Sequence, residues 1–514
     1  MIRLLILQFV IIPIFLNALS AQIIPKNHDT LNYRLVGFSF PANKNATAYQ
    51  LELYSNSATT DKNTKADKAG MLIFSKQYTE NQVIETVPEF NKSYKWRVLY
   101  KKKNTFIDSS DYFFFRTGYS VTIDSSKYRI KIIKNSLGND NQLFILDFIS
   151  VMYGTDGQPL WYLPDIPLVT DKNIQIRDLK PTIDGTFTAV SSIGAYEFDY
   201  NGNVIWRAPN NGKISGDTSE FYHHEFTKLS SRNYMVCGRE NAIRKIPSFD
   251  HIKIDTLINR GTIIKNNDGG YSINITAGTL IEYDSNGNIV WHWKSSVHCS
   301  DSDFFRKSRR PSGVNTDMHL NSFWFDETNK FIYLSFRNTN EIMKIEYPAG
   351  TIIARYNGVS PNGGNLYLGQ HSIRKTADGK LYLFNNNLKM ADFSNDLNYK
   401  NQQTSYITIL EETTGPDAHL KKLWEYSCDI DTFALPGAGV GGSVEMLPDN
   451  SILASMGAAG RIFIVTQDKR LLYNSVPQAK DENGKWGFIG QYRTSSLRKE
   501  ELKKFIFKSN YNNK

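Results

Sequence analysis

From residue 121 onward one unit keeps returning: a strand, a tight turn, and a second strand ending near an aromatic residue. It reads MYGTDGQPLWYL from 152, YEFDYNGNVIWRA from 196 and IEYDSNGNIVWHW from 281. Looser copies are IMKIEYPAGTIIARY from 342, ITILEETTGPDAHLKKLWEY from 407 and IFIVTQDKRLLYNS from 462. Hairpins of one type at intervals of roughly 45–85 residues predict blades, because one small antiparallel sheet cannot bury both faces alone and must stack on the next. The six copies therefore predict a six-bladed β-propeller over 121–514. An array of sandwiches is the competing reading, but equal hairpins separated by insertions suit blades better.

The preceding stretch reads differently. Runs such as YRLVGFSF, AYQLELYS, MLIFSKQY, NQVIETVP, YKWRVLYKK and YFFFRTG are short strands, and two of them alternate cleanly. Tyr49, Leu51 and Leu53 share one face, and Tyr94, Trp96 and Val98 share another. About a hundred residues with some seven short strands predict an immunoglobulin-like or fibronectin-III-like sandwich over 22–120. Residues 1–21 open with Arg3, run apolar from Leu4 to Leu16 and end in small residues, the order of a cleaved secretory signal. That places the mature protein in the periplasm or outside the cell, with no membrane anchor after cleavage. A formal net charge of +9 is spread along the chain without a basic stripe, which argues against nucleic acid and for a mild attraction to small anions. The three cysteines, Cys237, Cys299 and Cys428, match no zinc spacing and leave at least one thiol free.

Each blade also carries an earlier hairpin, and aligning on its turn brings histidines into register. His371 lies seven residues before Asp378 of TADGKLYLF, His319 seven before Asp326, and His224 seven before Ser231, with His223 beside it. The same count gives Arg177 before Asp184, and Gly442, followed by Ser443, before Asp449. First strands line a propeller channel, so equivalent positions on successive blades should converge on one axis. A shared site built on three imidazoles follows. Arg337 and Arg239 end second strands near these histidines and are candidates to grip an oxyanion, since a guanidinium presents paired donors and stays charged. Asn321, two residues beyond His319, adds a neutral donor. His292 sits on an outer strand, and His28, His251, His298 and His419 fall in loops.

Three imidazoles can hold zinc, iron or copper. No carboxylate recurs in the register, however, and an arginine stands close by, so covalent catalysis by one imidazole is the better reading, with no metal and no cofactor. DMHLNSFWFDETNKFIYLSFRNTNEIMKI (317–345) and GQHSIRKTADGKLYLFNNN (369–387) resemble the bacterial arylsulfotransferase family, as does the TDG…LW and NGN…W repeat. The resemblance implies a six-bladed propeller behind an N-terminal β-domain. It also implies ping-pong sulfuryl transfer from a phenolic sulfate to a phenol without a nucleotide donor. By it His371 is the nucleophile that becomes sulfohistidine. His319 and Asn321 match the H-x-N motif, and Arg337 matches the oxyanion-binding arginine. His224, or its rival His223, matches the histidine that handles sulfate and the phenolic proton. Arg239 and Ser443 complete the expected substrate contacts, and the N-terminal domain is a surface for docking or a homodimer. The last blade, with Gly442–Ser443, departs from a strong catalytic group. The competing functions are a secreted propeller that binds an anion without turnover, and a histidine-metal hydrolase or lyase.

Overall fold

In a computed structural model, residues 22–509 are described apart from 57–69, 139–140, 166–174, 249–251, 253, 260–262, 306–315, 389–402 and 416–417. The expected signal at 1–21 and His251 lie outside the described residues. The chain divides into two compact units, one ending at Gly118 and the other starting at Tyr119. Its class is all-β, with only short helices among the described residues. Among the described residues no helix is long and apolar enough to cross a membrane.

The first unit has two sheets. One orders Asp29–Leu31, Phe113–Thr117, Ser93–Lys102, Ala48–Asn56 and Leu72–Tyr78, with Thr105–Ser109 on Ser93–Lys102; the other pairs Leu35–Ser39 with Gln82–Thr86. Period-two alternation decides which face is covered. Tyr94, Trp96 and Val98 are buried along Ser93–Lys102. Leu51 and Leu53 join them from the neighbouring strand. Phe38 of the smaller sheet meets Trp96 edge-on at 5.2 Å, so the two inner faces share one core.

In the second unit each repeated hairpin forms the outer half of a sheet, for example Gly194–Phe198 with Val204–Arg207 and Glu341–Glu346 with Ile352–Tyr356. The described residues make six such sheets. Their first strands are Thr494–Arg498, Arg177–Pro181, Phe221–Lys228, Leu320–Asp326, His371–Lys375 and Ser443–Met446. These strands neighbour one another in that order, and the last returns to the first. The chain ends close the cycle twice. Thr494–Arg498 joins the sheet begun by Gln142–Leu146. Tyr128–Asn135 joins Leu471–Lys480 of the last sheet.

A chain of hydrogen bonds ties the first strands together, each side chain accepting a backbone N–H from the next strand. Asp178 accepts from Phe226 (2.9 Å), Glu225 from Phe323 (3.2 Å), Ser322 from Ile373 (3.1 Å), Ser372 from Val444 (3.4 Å) and Ser443 from Thr494 (3.2 Å). Asp147 closes it by accepting from Asp178 (3.0 Å) and Arg493 (2.8 Å). Buried ion pairs brace this level: Arg493 with Asp178 (2.7 Å) and Glu225 (3.1 Å), and Arg374 with Glu225 (2.8 Å). Burial alone would push the Glu225 carboxyl up, but Arg374, Arg493 and Lys180 hold it down at about 2. Such pairs fix geometry more than they add stability, and removing one partner strands a buried charge. Cys237, Cys299 and Cys428 are all buried and free.

Candidate active site

The structure brings His223, His224, His319 and Arg239 onto one cavity of about 530 Å³, together with Arg177 and Asp317. His224 Nε2 lies 3.1 Å from His319 Nε2. His319 in turn is held by Asp317, whose carboxylate accepts its backbone N–H (2.7 Å) and faces its Nδ1 (3.2 Å). Hydrogen bonds from His319 outweigh the upward push of burial on Asp317, whose carboxyl ends below its ordinary range. The two Nε2 atoms are therefore within reach of one shared proton, on a line that ends at the Asp317 carboxylate.

His371 is built differently. Its Nδ1 is 2.7 Å from Asn386 Oδ1. The Asn386 amide cannot be turned round, because its Nδ2 donates to the carbonyls of Ala438 (2.7 Å) and Gly441 (2.9 Å). Oδ1 is thus an acceptor, His371 Nδ1 carries the proton, and Nε2 keeps its lone pair. Burial, then the Arg337 charge, hold His371 well below the usual imidazole range, so it is neutral. His224 is held down by burial and then by His223; His223 falls to about 3 by burial and then by His319.

His371 and Arg337 do not line the cavity themselves. Tyr492 connects them to it: its ring stacks on His224 (5.2 Å) and meets His371 edge-on (6.1 Å). The Tyr492 hydroxyl is buried without a hydrogen-bond partner among the described residues, and burial pushes it up to about 12. Arg337 follows Phe331–Phe336 and stands across from His319, its backbone N–H donating to the His319 carbonyl (3.0 Å). Its guanidinium donates to Gly439 O (2.8 Å).

Four expectations need correction. His319 is not in register with His224 and His371. Asp326 ends its strand, paired with Phe331 as Thr376 is with Lys380, whereas Asp378 lies two residues further on, inside the turn. Counting back from Asp326 therefore lands early, and the in-register residue is Asn321, which precedes Ser322 as His371 precedes Ser372. Asn321 itself is buried and donates to Gln370 O (2.7 Å), so it positions the His371 strand rather than facing the cavity. Ser443 also stands apart: its hydroxyl bonds Thr494 (3.2 Å), and it lines a separate cavity of about 480 Å³ with Lys180 and Arg374. The choice between His223 and His224 dissolves, since both line the cavity, and only His224 contacts His319. Gly442 carries no larger residue for a steric reason, as a Cβ there would lie 2.3 Å from the Phe384 ring at φ +114°.

Asp317, Asn386 and Tyr492 escaped the sequence reading. Asp317 had a usable signal, two residues before His319. Asn386 is the middle of an ordinary-looking NNN, and Tyr492 reaches the cluster only through closure of the cycle.

A family model described as Arylsulfotransferase (ASST) matches residues 125–461. The chain belongs to the arylsulfotransferase family. Membership supports aryl sulfotransferase activity in general, with small-molecule aryl sulfates and phenols as substrates. A comparison with curated proteins finds no match. Among solved structures, a Bacteroides caccae protein of unknown function is 10% identical, covering 73% of this chain and 100% of its own, with TM-score 0.39. A streptogramin B lyase is 10% identical, covering 72% and 98%, with TM-score 0.35. The β-propeller domain of Myceliophteria thermophila Cps50 (Swd1) is 10% identical, covering 72% and 99%, with TM-score 0.34.

Proposed function

We propose that this protein is an exported aryl-sulfate sulfotransferase that works by a ping-pong mechanism through a sulfohistidine at His371, with no nucleotide donor. The observation that carries the reading is the Asn386 lock, which leaves a neutral imidazole with its Nε2 lone pair free beside Arg337. In the first half-reaction that lone pair attacks the sulfur of a phenolic sulfate, forming an N–S bond while the S–O(aryl) bond breaks. The departing phenolate, whose conjugate acid has a pKa of about 10, takes a proton from the His224–His319 pair. Arg337 compensates charge on the sulfuryl oxygens. In the second half-reaction an acceptor phenol returns its proton to the pair, attacks sulfur, and the N–S bond breaks. His224 and His319 offer a poor metal site, since their nitrogens face each other instead of a common point.

We read the cycle of six sheets as a six-bladed propeller and the first unit as an immunoglobulin-like or fibronectin-III-like sandwich, with 1–21 as an export signal. The test is release of nitrophenol from para-nitrophenyl sulfate with and without added phenol. Release that depends on phenol is expected. Release into water alone would indicate a sulfatase, and none under either condition would leave a binding protein.

A further inference from the structure

Sulfuryl transfer needs one cation at the sulfuryl group, and Arg337 stands beside His371 for that. The cavity above holds two more guanidinium groups. Arg177 opens its strand with its guanidinium over the Tyr492 ring at 5.3 Å, and Arg239 stacks on Phe221 at 3.5 Å. Both line the cavity, and among the described residues neither guanidinium has a hydrogen-bond or ion-pair partner. Stacking covers the flat face of a guanidinium and leaves its in-plane N–H donors open, so the rings position these cations without satisfying them. Counter-charge is scarce. Among the described residues Asp317 is the one carboxylate lining the cavity, and it is engaged by His319. The lining imidazoles His223 and His224 are held neutral, so they neither supply nor cancel charge.

Elsewhere in the same unit arginines near the axis are paired. Arg493 has Asp178 and Glu225, and Arg374 has Glu225. Arg177 and Arg239 differ from these braced arginines and stand on the cavity wall. Arg239 lies opposite Phe221 across two paired strands, which fixes an aromatic face and a cation side by side. An aromatic ring laid on that wall would bring any anionic substituent to open guanidinium donors.

We propose that Arg177 and Arg239 form a second anion subsite, and that the phenols this enzyme uses carry a carboxylate or a further sulfate on the ring. The use of that subsite rests on the sulfotransferase reading. The subsite would act on both half-reactions, since donor and acceptor phenols enter by the same cavity.

The experiment compares para-hydroxyphenylacetate with its neutral isostere para-hydroxyphenylacetamide as acceptors from para-nitrophenyl sulfate. The acid is expected to exceed the amide in kcat/KM by at least about tenfold, the factor one charge-assisted hydrogen bond supplies. That ratio should collapse toward one in Arg239→Gln and in Arg177→Gln. Arg239→Glu should shift preference toward the cationic acceptor tyramine. Equal kcat/KM for acid and amide in the wild type, or a ratio unmoved in both glutamine variants, overturns the subsite while leaving the transferase standing. If no phenol is turned over, the transferase reading falls instead, and calorimetric binding of the same acid and amide decides the subsite. Tighter binding of the acid that weakens in both variants upholds it; equal binding overturns it.

Discussion

His371 and His319 are imidazoles of one cluster held by opposite kinds of partner. Asn386, a neutral amide locked by two carbonyls, fixes the His371 tautomer without inviting a second proton. Asp317, a buried carboxylate, instead sets an anionic acceptor 3.2 Å from the Nδ1 of His319. The first arrangement suits a nucleophile, which must present a lone pair. The second suits an acid–base, which must carry a proton and give it up. Division of labour is therefore written in what each Nδ1 touches, not in the histidines themselves.

Substitutions can break that comparison in order of size. His371→Asn removes the lone pair and should cost at least about three orders of magnitude in turnover of para-nitrophenyl sulfate with phenol. Asp317→Asn gives His319 the kind of partner His371 has. It should slow transfer from unsubstituted phenyl sulfate by about a hundredfold, and much less from the nitrophenyl ester, whose leaving group needs little protonation. Equal losses with both donors would place Asp317 outside proton transfer. Asn386→Ala frees the His371 ring and its tautomer, and the rate of enzyme sulfurylation in a rapid-quench experiment should fall about tenfold.

The smallest effect is on stability. Burial keeps His223, His224 and His371 neutral in the folded protein, whereas in the unfolded chain they bind protons near pH 6.5. The unfolded state thus holds more protons as pH falls, and stability present above about pH 6.5 is lost below it. Urea midpoints measured from pH 7 to pH 5.5 should fall. The slope should lessen in His223→Gln by up to about 1.4 kcal/mol per pH unit, one proton's worth. An unchanged slope would mean that His223 is protonated when folded.

Much of this was legible in the sequence. Turn signals and aromatic ends exposed the outer hairpins, and alternation at Tyr94, Trp96 and Val98 told which face of the N-terminal sheet is covered. Histidine register found His224 and His371 because both precede hairpins of equal turn length. It misplaced His319 because Asp326 ends its strand as Thr376 does, two residues short of the turn position that Asp378 occupies, and so hid the fact that Asn321 holds the equivalent place. His319 nonetheless reaches the cluster from just before its strand, in a left-handed backbone conformation at φ 63° that swings the ring toward His224. Partners such as Asn386 and Tyr492 left no periodic trace. Asn386 acts from the far end of the hairpin's second strand, and Tyr492 comes from the loop before the strand that closes the first sheet.

Covalent transfer through His371 is the central claim. Brief incubation with para-nitrophenyl sulfate in the absence of acceptor, followed by quenching in base and peptide mapping, reads it directly. The account predicts one sulfuryl group on the peptide containing His371, attached at Nε2, and its discharge when phenol is added before the quench. Phenol-dependent turnover with no label on His371, or a label on His224 or His319 instead, would contradict it.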